Sequence, residues 1–460
     1  MSLPFGRTEL SRRILLAGLG GTACAFGANA LAVAAQGLST ESFEALAAFG
    51  GVYRRPDGAA FGVNRFLNDA GRPVLLFADY ATSLVRPLSG GPDTFTLGPT
   101  FDAASPVEAI IRFEMNGEAA AGLIVRPSQG PEVVAAKEAG NDEDISFGHD
   151  EASLSGTLMR PAGPGPHPAV VLLHGSGPLT RHSFGPYPRF FNSLGMAVLT
   201  FDKRGTGAST GRRLDASTGN PATLWPAFYP DDLAADARAA FAFLRSQPGI
   251  DHAHVGFWGS SEGGMLGTQV AGQSRDVAFA INSSGFMGPL WRTILYQGAA
   301  MLRAAGTPEP EIERATAFNR FWMQVARTGL GYDEFLKRRA EIQSSGKKGW
   351  FYYVNADFSS LAQMRWAWRH ILAFDSLPAL RQVRCPVLGL FGRADVLTDA
   401  TTASRSMQQA LLAAGNRRVS VQIVPNASHS LMETPGRRGM APGVFASLEG
   451  WLRSHGLSTA

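Results

Sequence analysis

Two serines lie in Trp258-Gly259-Ser260-Ser261-Glu262-Gly263-Gly264, a stretch that follows the apolar run Val255–Trp258 and opens a helix-like segment. A serine on such a strand-to-helix turn is presented on a strained backbone and can act as a nucleophile. Sterics choose between the two. The positions two places either side of the nucleophile must be small, because the sharp turn brings them against neighbouring backbone. Gly259 and Gly263 flank Ser261, whereas Trp258 and Glu262 flank Ser260, so Ser261 is the candidate nucleophile.

A neutral hydroxyl needs a general base, and the base needs an acid to orient it. Val419–Val424 reads as a strand leading into Pro425-Asn426-Ala427-Ser428-His429-Ser430, which puts His429 on a loop just past a strand end. The other histidines after Ser261, His370 and His455, follow no strand. Pro386–Phe391 reads as a strand followed by Gly392-Arg393-Ala394-Asp395, and Asp395 is the first carboxylate beyond it. Asp399 is the alternative acid, although its place before a helical stretch suits an N-cap. Attack on a carbonyl also requires backbone N–H donors for the oxyanion. These are expected from Glu262, the residue after the nucleophile, and from Ser176 in Leu173-His174-Gly175-Ser176-Gly177-Pro178. His174 is expected to be structural.

The elements that must position these residues have an alternating pattern from about residue 145 onward. Apolar runs at Pro168–Leu173, Met196–Phe201, Val255–Trp258, Val277–Ile281, Pro386–Phe391 and Val419–Val424 are separated by helical periodicity. Leu233, Ala237, Ala240, Phe241 and Leu244, for example, share one helix face. The pattern predicts an α/β fold with a mostly parallel sheet. Residues 286–379 interrupt it with aromatic-rich helical sequence, expected to be a helical lid inserted between two strands. Residues 42–140 carry short apolar runs with turn signals, among them Ala109–Glu114 and Ala121–Val125 joined by Asn116-Gly117, a strong hairpin signal. They predict a small antiparallel β domain. The polar stretch Lys137–Asp144 reads as a linker to a second domain at 145–460.

The motifs His174-Gly175-Ser176-Gly177-Pro178, Phe201-Asp202-Lys203-Arg204-Gly205-Thr206-Gly207-Ala208-Ser209 and Gly259-Ser260-Ser261-Glu262-Gly263-Gly264 resemble the α/β-hydrolase superfamily, most of all its bacterial esterase and serine-peptidase-like branch. The resemblance covers about 145–460 and implies a Ser261–His429–Asp395 triad. One departure is Ser260, where similar proteins frequently have His before the nucleophile. The resemblance leaves out the N-terminal β domain, which is far too short for the β-propeller of prolyl oligopeptidase-type enzymes.

The beginning of the chain reads as an address. Ser11-Arg12-Arg13-Ile14-Leu15-Leu16 resembles a twin-arginine export signal, the stretch to Ala34 carries no charge, and Ala32-Val33-Ala34 suits signal-peptidase cleavage. Residues 1–34 are therefore expected to be a signal peptide, and the protein to be periplasmic or secreted. Membrane attachment is expected only if that segment stays uncleaved. Its removal lowers the net charge from +4 to +2 and takes away Cys24, leaving Cys385 alone and no intrachain disulfide.

Composition narrows the classes further. With 45% apolar and 17% charged residues the chain is a folded one. The basic residues form no long run, so no nucleic-acid partner is expected. No zinc spacing, P-loop or dinucleotide fingerprint appears, so neither cofactor nor metal is expected. The lid aromatics, including Trp291, Trp322, Trp350, Phe351, Tyr352, Tyr353, Trp366 and Trp368, could line an apolar substrate pocket or pack the lid core. Glu309, Glu311 and Glu313 could bind a substrate ammonium or form the first turn of a helix. The expected activity is hydrolysis of a small carboxylic ester through an acyl-serine intermediate. A peptidase or amidase acting on short peptides with the same triad is the alternative, and a non-catalytic binding protein on this scaffold is a third reading.

Overall fold

The computed structural model describes residues 40–67, 73–149, 152–211, 230–347, 350 and 360–458. The expected signal peptide and the aromatics Phe351–Tyr353 lie outside these residues. No helix among the described residues is long and apolar enough to cross a membrane.

The N-terminal β domain is a closed antiparallel barrel of eight strands, β1 (Gly51–Arg54) to β8 (Val133–Lys137), in sequence order. The Asn116-Gly117 hairpin joins β6 (Ala109–Asn116) to β7 (Ala119–Pro127). Closure comes from β1 meeting β8, with Tyr53 opposite Lys137 and Arg54 opposite Ala136. Inward residues such as Tyr53, Val63, Leu75, Phe77, Ile111, Phe113 and Leu123 fill the interior. Strand β3 (Pro73–Asp79) is apolar on both faces for a reason. Leu75 and Phe77 point into the barrel, while Leu76 and Ala78 join the core beneath the second sheet.

That second sheet has eight strands in the order β16-β15-β14-β13-β11-β12-β10-β9. Strands β11 (His167–Leu173), β12 (Ala197–Phe201), β13 (Ile250–Ser260), β14 (Ala280–Ser283), β15 (Val387–Gly392) and β16 (Val419–Val424) are parallel. Strands β9 (Asn141–His149) and β10 (Ala152–Arg160) are antiparallel at one edge. The stretch 137–144, read from sequence as a linker, is therefore strand at both ends. Its polarity reflects an edge position: Asp142 pairs with Arg189 at 2.9 Å and Asp144 accepts from Thr157 at 3.1 Å.

Strands β11, β12 and β15 are buried along nearly their whole length because both faces are covered. On β11, Ala169, Val171 and Leu173 pack with α2 (Pro230–Arg245) and α3 (Glu262–Gln273). Val170 and Leu172 face α1 (Tyr187–Ser193), α9 (Val444–Ser454) and the barrel. Between β14 and β15 the chain makes the expected helical insertion, with α4 (Leu290–Ala304), α5 (Glu309–Thr328), α6 (Tyr332–Ser344) and α7 (Leu361–Ala367). Its Phe318, Trp322 and Phe335 are buried in one continuous core with the first sheet face, so these aromatics are packing residues. Helix α8 (Ala400–Ala413) joins β15 to β16. Cys385 is buried ahead of β15, and burial pushes its thiol up to about 12, so it is no thiolate nucleophile.

Candidate active site

The site forms at the carboxyl ends of β13, β15 and β16, where loops leave a parallel sheet together. Ser261 stands between β13 and α3 with φ 54° and ψ −120°, a sparsely populated conformation for a residue with a side chain. Its N–H donates to Ser283 O at 2.8 Å, which anchors the turn to β14. The flanking glycines are sterically required. A Cβ on Gly259 would lie 2.1 Å from Gly263 O, and one on Gly263 would lie 2.2 Å from Leu173 O. Ser261 is half-buried, whereas Ser260 ends β13 and is buried.

His429 follows β16 and is buried, with Nδ1 2.7 Å from Asp395 Oδ2. The carboxylate can only accept, so Nδ1 carries the proton and Nε2 presents a lone pair. Nε2 is buried and has no protein hydrogen-bond partner. Asp395, after β15, is fixed by its second oxygen, which accepts from Leu397 N–H at 2.7 Å and Thr398 N–H at 2.9 Å. Thr398 Oγ1 in turn donates to Ser284 O at 2.8 Å, tying the acid loop to the end of β14. Asp399 has a different part: it accepts from Thr401 N–H at 3.0 Å and Thr402 N–H at 3.1 Å and caps α8.

Glu262 opens α3, so its N–H is among the four without an intrahelical acceptor. Its side chain turns inward. Lys203 Nζ, also buried, lies 2.5 Å from Glu262 Oε1 and donates to Gly175 O at 3.2 Å. Ser176 Oγ donates to Glu262 Oε2 at 3.3 Å. One buried ion pair thus joins the loop after β11, the loop after β12 and the start of α3. Breaking it should be costly, because it leaves a charge in a dry environment. Lys203→Met is expected to lower the unfolding free energy by about 3–5 kcal/mol, and adding Glu262→Met to recover part of that loss. Denaturant midpoints report the result, and an unchanged midpoint for Lys203→Met would contradict it.

His174 lies between Phe184 and Phe201, with ring centroids at 4.4 and 5.3 Å. Burial, reinforced by the Lys203 charge, lowers its pKa to about 3, so it stays neutral and serves packing. His370 sits in a π turn at Trp368–Leu372 against Trp366, and His455 closes α9 on Trp451 O at 2.8 Å. Glu309 and Glu311 are in the first turn of α5. Glu309 pairs with Arg303, while Glu311 accepts from Trp350 Nε1 at 3.0 Å and lies 3.4 Å from Lys347.

Two residues around the site received no role from sequence. Lys203 stands in a motif whose spacing was visible, but nothing local distinguishes a buried lysine from a solvated one. Tyr296, on α4, donates its hydroxyl to Asp395 O at 2.5 Å and links the helical insertion to the acid loop. It is 99 residues from its partner and left no sequence signal.

Comparison with known proteins identifies the family. The alpha/beta hydrolase family matches residues 170–438, more than half of the chain. A protein of Mycobacterium tuberculosis is 30% identical over 163 residues, covering 35% of this chain and 52% of its own. A 31.7 kDa protein of the traX-finO intergenic region of Escherichia coli is 28% identical over 130 residues, covering 28% of this chain and 41% of its own. The chain thus spans about half or less of the length of these relatives. Among solved structures, an esterase of Pyrococcus furiosus aligns with a TM-score of 0.44 at 17% identity, over 69% of this chain and 92% of that one. A proline iminopeptidase of Mycobacterium smegmatis aligns with a TM-score of 0.42 at 18% identity, over 68% and 99%. At these values neither speaks to the substrate. The matched region contains both the strained serine turn and the His429 loop, and on that match the chain belongs to the alpha/beta hydrolase family.

Proposed function

We propose that this protein is an exported serine hydrolase that cleaves carboxylic esters, with Ser261 as nucleophile, His429 as base and Asp395 as orienting acid. The observation that carries the reading is the pairing of His429 Nδ1 with Asp395 Oδ2 while Nε2 stays buried and unpartnered. Such an imidazole is set to accept one proton and return it. Ser261 Oγ attacks the ester carbonyl carbon as its proton passes to His429 Nε2. The oxyanion is received by the N–H groups of Ser176 and Glu262, where a single donor is worth about 3–4 kcal/mol. Collapse breaks the carbon–oxygen bond to the alcohol, which takes the proton from His429. Water then attacks the acyl-serine, giving its proton to Nε2, and the acid leaves with Ser261 restored.

An ester leaving group is favoured over an amine because two of the three acidic residues that could recognise an ammonium, Glu309 and Glu311, are engaged by other groups. Glu309 pairs with Arg303, and Glu311 with Trp350 and Lys347. Export rests on Arg12-Arg13 and the uncharged stretch that ends at Ala34.

The test is fluorophosphonate labelling of protein recovered from the periplasm or the medium. The probe is expected on Ser261, the mature N-terminus at Ala35, and p-nitrophenyl esters should turn over faster than aminoacyl anilides. Absence of label on folded protein would overturn the serine mechanism. Turnover of anilides alone would overturn the ester assignment, and an intact leader would overturn cleavage.

A further inference from the structure

The chain that carries His429 does not return directly to the sheet. Residues 427–441 fold back on themselves, with bridges pairing Ala427 with Glu433 and Met432 with Met440. Ser428 N–H donates to Met432 O at 2.9 Å, and Ala441 N–H donates to Leu431 O at 2.8 Å. The outer arm of this excursion lies on the barrel. Leu84, the first residue of β4 (Leu84–Gly90), bridges Gly439, and Met440 N–H donates to Ser83 O at 2.9 Å. Phe101 N–H donates to Arg437 O at 2.9 Å. Arg86, a buried cation on β4, donates from Nε to Arg438 O at 3.0 Å and from Nη1 to Glu108 at 2.7 Å. Beneath these bonds, Leu431 and Met432 share a core with Val85 and Phe101.

Gly439 shows how close the fit is. A Cβ there would lie 2.2 Å from Ser83 O and 3.0 Å from Leu84 Cα, both backbone atoms that cannot rotate away. The excursion is therefore seated on the barrel by main-chain bonds. It contains His429 near its start, and the imidazole has one bond of its own to hold it.

We propose that the barrel is a positioning element for His429. Its Ser83–Arg86 segment holds the outer arm of the 427–441 excursion and so fixes the position of the imidazole. The inference rests on His429 being the base. Displacement of a reacting group by about 1 Å can cost roughly 10²-fold in rate, so a remote seat can govern turnover without touching substrate.

The test uses the full chain with p-nitrophenyl butyrate. Gly439→Ala is expected to lower kcat by about 10²-fold while KM stays within about threefold. Arg86→Lys, which keeps the Glu108 ion pair and loses the Nε donor, is expected to show the same split with a smaller fall. Both are then placed in a His429→Ala background. If they act through His429, neither changes the residual rate there. An equal fall in both backgrounds, or wild-type kcat in folded Gly439→Ala, would overturn the proposal. Where Gly439→Ala fails to fold, Arg86→Lys decides by the same comparison. Wild-type kcat for His429→Ala alone would overturn the base assignment instead, which keeps the two failures separate.

Discussion

Ser261→Ala is expected to abolish turnover, lowering kcat by about 10⁶-fold, while Ser260→Ala should change kcat by less than about tenfold. The difference follows from the turn. Ser261 is half-buried at φ 54°, at the carboxyl edge of the sheet from which the His429 and Asp395 loops also leave. Under the proposed mechanism, removing its Oγ removes the atom that would form the acyl bond, leaving the contribution of binding and of the oxyanion donors. Ser260 is the last residue of β13 and is buried, with Ser283 as its register partner on β14. Steady-state rates on a p-nitrophenyl ester, with circular dichroism to confirm folding, decide between the serines. Retained turnover in Ser261→Ala, or its loss in Ser260→Ala, would overturn the choice. A third variant probes the backbone. Ser261→Gly is expected to be equally inactive yet about 1 kcal/mol more stable, because glycine tolerates the positive φ that serine endures. Activity lost together with stability gained would mark a conformation maintained for chemistry.

Local features were more legible in the sequence than the long-range pairings that assemble the fold. The β16 boundaries match the apolar run Val419–Val424, and Gly259 and Gly263 signal the turn because both lie against backbone. Other boundaries shifted for physical reasons. Strand β13 begins at Ile250, ahead of the polar Asp251 and His252, because the amino-terminal end of this central strand runs beyond its pairing with β14, which starts at Phe257, and tolerates exposed residues there. Strand β14 runs from Ala280 to Ser283, although Asn282 and Ser283 are polar. Both are buried, and Asn282 Oδ1 accepts from Gly285 N–H at 2.7 Å, so a polar strand end is satisfied at the site. Hairpins of the barrel are local and could be read, but the β1–β8 closure joins residues 84 apart, Tyr53 with Lys137, and has no local signature. The Lys203–Glu262 pair was hidden for the opposite reason. Its residues are ordinary surface types, and only the fold shows that each is buried against the other.

Asp395→Asn is expected to lower kcat by about 10⁴-fold with the fold intact, and Asp399→Ala to cost about 1 kcal/mol of stability with kcat unchanged. The geometry around Asp395 explains the first effect. Its Oδ1 accepts from Leu397 N–H and Thr398 N–H, so an asparagine must place its carbonyl oxygen there. The amide nitrogen then takes the position of Oδ2, 2.7 Å from His429 Nδ1. Two donors cannot face each other, and the imidazole answers by moving its proton to Nε2. In that tautomer it cannot accept from Ser261. The shape and most hydrogen bonds survive, so thermal unfolding should barely move while the rate collapses. Asp399 makes the opposite pattern, since its bonds to Thr401 N–H, Thr402 N–H and the Thr402 hydroxyl all serve the first turn of α8. Paired measurements of kcat and melting temperature on the two variants separate an acid that sets a tautomer from one that caps a helix. A collapse of kcat in Asp399→Ala, with Asp395→Asn near wild type, would exchange the two assignments.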